Sequence, residues 1–104
     1  MTIKWVTSDP LVMNGEPFCY GTRLTVRNIL EMRANGLTPA EMMAQHPELR
    51  VVGIAEAFHY ATRQPERYAA FLEADGSLRG VGFSAVQATR LPEHLREAPS
   101  VVEG

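Results

Sequence analysis

One cysteine, one lysine and one tryptophan stand among the 104 residues, and there is no long apolar run. With Cys19 alone, no intrachain disulfide can form and no cysteine zinc cluster can assemble. No stretch approaches the ~20 apolar residues of a membrane-spanning helix. The opening MTIKWVTSDP has no apolar core of the kind a secretory signal needs. Together these absences lead to the expectation of a soluble protein in a reducing cytoplasm. An excess of positive charge is missing too. Ten Lys and Arg stand against twelve Asp and Glu, a formal net charge of −2. That balance argues against a strongly basic nucleic-acid binder, although a local patch matters more than a total.

The positive charge that is present comes almost wholly from arginine, because Lys4 is the only lysine. Arginine's planar fork suits phosphate and carboxylate partners. A compositional bias toward arginine would produce the same count. The hydrophobic share of 45% and charged share of 21% are those of an ordinary globular chain, and 104 residues suffice for one modest core.

Along the chain, Ile3 to Thr7 is β-prone and stops at Ser8-Asp9-Pro10, a turn cluster. Leu11-Val12-Met13 runs into Asn14-Gly15, a strong hairpin signal because both residues tolerate positive φ. Phe18-Cys19-Tyr20 reads as the returning strand, and Pro17 places it at an edge. A first helix follows, with Thr25 as N-cap, an inner stripe of Val26, Ile29, Leu30 and the Arg33 stem, and Gly36 just past its end. Thr38, Pro39 and Glu41 then supply an N-cap, an N1 proline and a capping box, with Leu37 placed to staple onto Met42. This second helix is expected to end near His46, before Pro47.

A third helix is expected from Val51 to Arg63, with Val51, Ile54, Ala55, Phe58 and Thr62 facing inward. Gly53 weakens its first turn by about 1 kcal/mol relative to alanine. Pro65 can begin a fourth short helix carrying Tyr68, Phe71 and Leu72, stopped by Asp75-Gly76. Beyond it Gly80, Gly82, Pro92 and Pro99 break up a segment that Val81, Phe83, Val86 and Leu91 keep apolar. Leu91 to Glu97 can add a helical turn with Pro92 at N1. Such a tail either folds on a partner or covers the domain's own surface.

Catalytic signals are poor. His46, His59 and His94 are scattered, with no i, i+4 zinc spacing. Glu41 is accounted for by its capping box, Cys19 by a core or ribbon position, and Gly80-Val81-Gly82 is no phosphate loop. The expectation is a protein that is not an enzyme and carries no metal or cofactor.

The stretch from Ile3 to Tyr60 resembles the bacterial domain-of-unknown-function family 433, which is VapB-type antitoxin-like. The resemblance rests on "TSDP", "NGEPFCYGTRLTV", "NGLTPAE", "HPEL" and "IAEAFHY", in that order and spacing, over a little more than half of the chain. It implies a mainly α fold: an N-terminal β-hairpin, then a three-helix, homeodomain-like helix-turn-helix core. It also implies pairing with a PIN-like nuclease toxin. Two positions depart from the family pattern. Tyr20 stands where many relatives have a basic residue, and Arg50-Val51-Val52-Gly53 replaces a Ser/Thr cap followed by acidic residues. The second change loses a cap but removes negative charge from the helix end that would face DNA.

Two function classes follow. If the Thr38 and Val51 helices form a helix-turn-helix, the third helix reads DNA, with Arg50, Val52, Gly53, Glu56 and His59 outward. Arg23 and Arg27 would then flank the backbone. In that reading the DNA-binding set is Arg23, Arg27, Arg50, Val52, Gly53 and His59, on promoter DNA and in a homodimer. The other class is a DNA-independent interaction module using the same corner only as scaffold. Residues 1–76 are expected to form the ribbon and helical domain, and 77–104 a C-terminal extension that binds the toxin through Val81, Phe83, Val86 and Leu91. Trp5, Phe18 and Tyr20 can either dock a partner or cover the small core.

Overall fold

The computed structural model describes residues 5–11 and 15–96. Helix α1 spans Val26–Ala34, α2 Pro39–Gln45 and α3 Val51–Thr62, and each of the three packs on the other two. Their starts follow local side-chain chemistry. Thr25 accepts from the Asn28 amide at 3.0 Å while the Asn28 side chain accepts from the Thr25 amide at 3.0 Å. Thr38 and Glu41 do the same for α2, with Pro39 at the first helical position. These reciprocal bonds satisfy amides that the helix itself leaves unpaired. Gly36, at φ 96°, ends α1 in a conformation that suits a residue without Cβ. The α2–α3 corner is pinned from inside by Leu49, which is buried in the core.

Strands β1, Val6–Thr7, and β2, Phe18–Cys19, form a two-stranded antiparallel ribbon in the register Val6↔Cys19 and Thr7↔Phe18. The ribbon lies on α3. The hairpin is therefore wider than the Asn14-Gly15 turn suggests. Leu11 sits in a turn, 92% exposed, rather than in a strand beside β2. Ile3, Lys4 and Val12 to Asn14 lie outside the described residues. Beyond Cys19 the chain turns back on itself, and Phe18 bridges Thr25 on the side of β2 away from β1. The Pro17 carbonyl accepts from the first amide of α1, Val26, at 2.9 Å, so ribbon and helix are joined through the backbone.

Val26, Ile29, Leu30 and Arg33 are buried on α1, as their spacing predicts. On α3 the buried set is Gly53, Ile54, Ala55, Ala57, Phe58 and Ala61, whereas Val51 and Thr62 are exposed. The single inward stripe expected there is too narrow. The ribbon and the later segment cover α3 from further directions, and a helix enclosed in this way needs small residues where backbones come close.

After α3 the expected fourth short helix is a turn ending in a 3-10 helix, Ala69–Phe71. Tyr68 inserts fully into the core, and Phe71 and Leu72 pack at its edge. Asp75 and Gly76 make a tight turn that lets Leu72 bridge Leu78, so the chain is paired across residue 76. A short helix absent from the sequence reading follows: α4, Ala85–Thr89, capped reciprocally by Ser84 and Gln87. The turn expected at Leu91 to Glu97 is a 3-10 helix at Glu93–Leu95, with Pro92 at its N-cap rather than at N1. Glu97 lies outside the described residues.

Candidate functional site

The surface that a helix-turn-helix would present centres on the start of α3. Arg50 occupies the N-cap, is exposed, and makes no side-chain capping bond. The residue stands at the positive end of the helix, where anions are favoured. The rest of that surface is built differently from the sequence expectation. Gly53 does not face outward. It is buried under the ribbon, its carbonyl 3.6 Å from the Cys19 thiol, and a Cβ there would meet the Trp5 ring at 3.6 Å.

Val52 is half-buried against a small apolar cluster of Ala55, Leu91 and Leu95. His59 stacks edge-on against His94 with ring centroids 6.1 Å apart. Desolvation, with help from Arg63 and His94 and opposed by Glu56, holds its pKa below the ordinary 6.5. The segment carrying Leu91, His94 and Leu95 thus lies across the face of α3 expected to be open, and Val52 and His59 are under it.

The flanking arginines divide. Arg23 is exposed. Arg27 donates to the Arg67 carbonyl at 3.4 Å and lies over the Tyr68 and Phe71 rings, 5.3 and 5.7 Å from their centroids. It is engaged in holding the turn after α3.

The extension residues divide as well. Leu91 is 4% exposed, and Phe83 packs edge-to-face on Phe58 at 5.7 Å, so both cover this chain's own core. Val81 and Val86 remain open, at 60% and 66%. Trp5 and Tyr20 form an edge-to-face pair on the ribbon, 6.3 Å between centroids, with Tyr20 exposed.

Arg33 was expected to contribute only its stem. The residue is 3% exposed, and its guanidinium donates to the Arg79 carbonyl at 2.9 Å and the Leu78 carbonyl at 3.5 Å and covers the Phe58 ring at 4.6 Å. It ties the segment after Gly76 to α1. No local pattern announces that role, since the carbonyls lie more than forty residues away. The Ser84-x-x-Gln87 capping box, by contrast, is legible in the sequence and would have located α4.

Cys19 is 1% exposed and its thiol is pushed up to about 12 by burial, which leaves it protonated and inert. Among the described residues no group of three or more His, Cys, Asp or Glu is placed to hold a metal ion, and no helix is long and apolar enough to cross a membrane.

The geometry defines a class: a small helical scaffold with an N-terminal β-ribbon and a C-terminal segment strapped over its third helix. Residues 6–61, more than half of the chain, match the model of the family described as protein of unknown function (DUF433), and the chain belongs to that family. No curated protein and no solved structure matches it. The matched region closes at the end of α3, so the strap lies outside it.

Proposed function

We propose that this chain is the antitoxin-like member of a bacterial toxin–antitoxin pair, and that its C-terminal extension binds and neutralises a PIN-like nuclease toxin. The observation that carries the reading is the division of labour along the chain. The family-matched region supplies the ribbon and the three helices, Tyr68 and Leu78 complete their core, and the chain beyond holds Val81 and Val86 out to solvent. Exposed aliphatic side chains on a segment supported from below are suited to docking another chain. In this reading the chain works in the cytoplasm as a homodimer and acts by covering the toxin, with no catalysis of its own.

Binding of its own promoter DNA through a homeodomain-like core belongs to the same proposal, supported by the α2–α3 corner, held by buried Leu49, and by exposed Arg23 and Arg50. The covering of Val52 and His59 favours a second reading for that core, as a DNA-independent scaffold.

Co-expression with a PIN-like toxin from a neighbouring open reading frame tests the proposal. The Val81→Asp/Val86→Asp double variant is expected to stay helical by circular dichroism and to lose neutralisation, restoring growth arrest. Full neutralisation by that variant would move the interface off the extension. For the DNA arm, intact protein is expected to retain promoter fragments at low salt, with Arg50→Ala weakening retention and reducing its salt dependence. No retention at low salt, with or without toxin, leaves the scaffold reading standing.

A further inference from the structure

Residues 84–96 are bonded to themselves. Ser84 and Gln87 cap α4 reciprocally at 3.1 and 3.2 Å. At the other end Arg96 donates from Nε to the carbonyls of Ala88 and Leu91, at 2.9 and 3.1 Å, and from Nη2 to that of Thr89 at 3.1 Å. The backbone bonds of Ala88, Arg90, Leu91, Leu95 and Arg96 also end inside the segment. Every hydrogen bond described for residues 84–96 closes within those residues. Attachment to the rest of the chain is by packing: Phe83 on Phe58, Leu91 and Leu95 with Val52 and Ala55, and His94 on His59. Ala55, Leu91 and Leu95 form a cluster of their own, apart from the main core.

The preceding chain is held firmly. Arg33 grips the Arg79 carbonyl, and Gly80 runs so close to the last turn of α1 that a Cβ would meet the Arg33 carbonyl oxygen at 2.0 Å. Between that anchor and Phe83 lie only Val81 and Gly82.

We propose that residues 83–96 form a self-contained latch, closed on the outer face of α3 and able to swing open as a unit about Val81 and Gly82. Opening breaks no hydrogen bond described for residues 84–96 and uncovers one small apolar cluster and the edge of the main core at Phe58, where Phe83 packs. The latch therefore opens at a lower free energy than the core unfolds, as a local event. Open, it exposes two complementary apolar faces at once: Phe83, Leu91 and Leu95 on the latch, and Val52, Ala55 and Phe58 on α3. If the extension docks a toxin, as proposed above, a partner that holds the latch also uncovers α3, and whatever binds α3 frees the latch. The two events are then linked equilibria. The latch itself rests on its geometry alone, independent of that reading.

Thiol labelling of the full chain tests it, with no toxin or DNA present. Ala55, Leu91, Leu95 and Cys19 are 0%, 4%, 5% and 1% exposed, so a thiol at any of them reacts only when its surroundings open. Ala55→Cys, Leu91→Cys and Leu95→Cys are made singly and treated with a thiol reagent under native conditions, with Cys19 as the internal reference. The introduced thiols are expected to share one rate, at least about tenfold faster than that of Cys19. The leucine variants weaken the packing that closes the latch, while Ala55→Cys keeps both leucines. Fast labelling therefore supports the latch only where Ala55→Cys shows it too, and slow labelling of either leucine variant counts against it. Labelling at the rate of Cys19 would show that the segment leaves only with global unfolding and would overturn the proposal. Unrelated rates at positions 91 and 95 would overturn its movement as a unit.

Discussion

Replacing Gly80 with alanine puts a side chain where the backbone of α1 already stands. The built Cβ lies 2.0 Å from the Arg33 carbonyl oxygen and 2.7 Å from its carbonyl carbon. Reaching ordinary van der Waals distance requires a separation of about 1.4 Å between the two backbones, because non-bonded heavy atoms are repelled well before that approach. A movement of that size pulls the Arg79 carbonyl away from Arg33 Nε, a charge-assisted bond of 2.9 Å contributing about 1.5–3 kcal/mol. The φ of +88° adds about 1–2 kcal/mol for any residue with a Cβ. Gly80→Ala is thus expected to destabilise the protein by about 2.5–5 kcal/mol.

Gly76 provides the control, since it has nearly the same φ, +89°, and nothing within 4 Å of its Cβ. Gly76→Ala carries the conformational part alone, about 1–2 kcal/mol. Urea unfolding of both variants, followed by far-ultraviolet circular dichroism, measures the difference. Equal losses within about 0.5 kcal/mol would refute the close approach of Gly80 to α1 as a structural constraint.

Other perturbations have equally definite directions. Gly53→Ala is expected to stabilise by about 0.5–1 kcal/mol, because its new methyl meets Trp5 at an ordinary 3.6 Å while the helix gains propensity; a lower urea midpoint would contradict this. The Tyr68 hydroxyl is buried and meets no partner among the described residues, and burial raises its pKa. Tyr68→Phe is therefore expected to leave stability unchanged or raise it by about 1 kcal/mol, and a loss larger than that would mean the hydroxyl is satisfied. Because the pKa of His59 is lower folded than its ordinary 6.5, the unfolded chain binds the proton first as pH falls. Its contribution is whole above about pH 6.5 and is lost as pH falls through the folded value. Stability measured from pH 7 to 5 is expected to fall more steeply in the native chain than in His59→Gln; identical slopes would sink the assignment. Asp75, held low by its bonds to Ser77, acts below its ordinary 3.8 and lies outside that window.

Much of the scaffold is legible before any coordinates. Thr25, Gly36, Thr38, Pro39 and Glu41 act through neighbours three or four residues away, and such chemistry is local enough to read directly. The spacing of Val26, Ile29, Leu30 and Arg33 marks the buried side of α1, because that helix has one core-facing side. The same argument misplaces Val51, Gly53 and Thr62 on α3. Periodicity assumes a single dry face, and α3 is covered by the ribbon as well as by the other helices. The Asn14-Gly15 signal assigns Leu11 to Met13 as the strand beside Phe18 and Cys19, where the structure pairs Val6 and Thr7, for a related reason. A strong turn signal is local, but which strands pair is decided by what lies on α3.

By itself the sequence determined where helices α1 and α2 begin and end, that the core is small and helical, and that its family is one recognisable by spaced motifs. Those properties depend on contacts a few residues long. Only the tertiary structure decided which surface of α3 is available. His94 meets His59 across thirty-five residues, Leu91 and Leu95 close over Ala55, and Arg33 binds carbonyls beyond Ser77. Pairings at that separation are set by the shape of the assembled core and by the glycines that let backbones approach it.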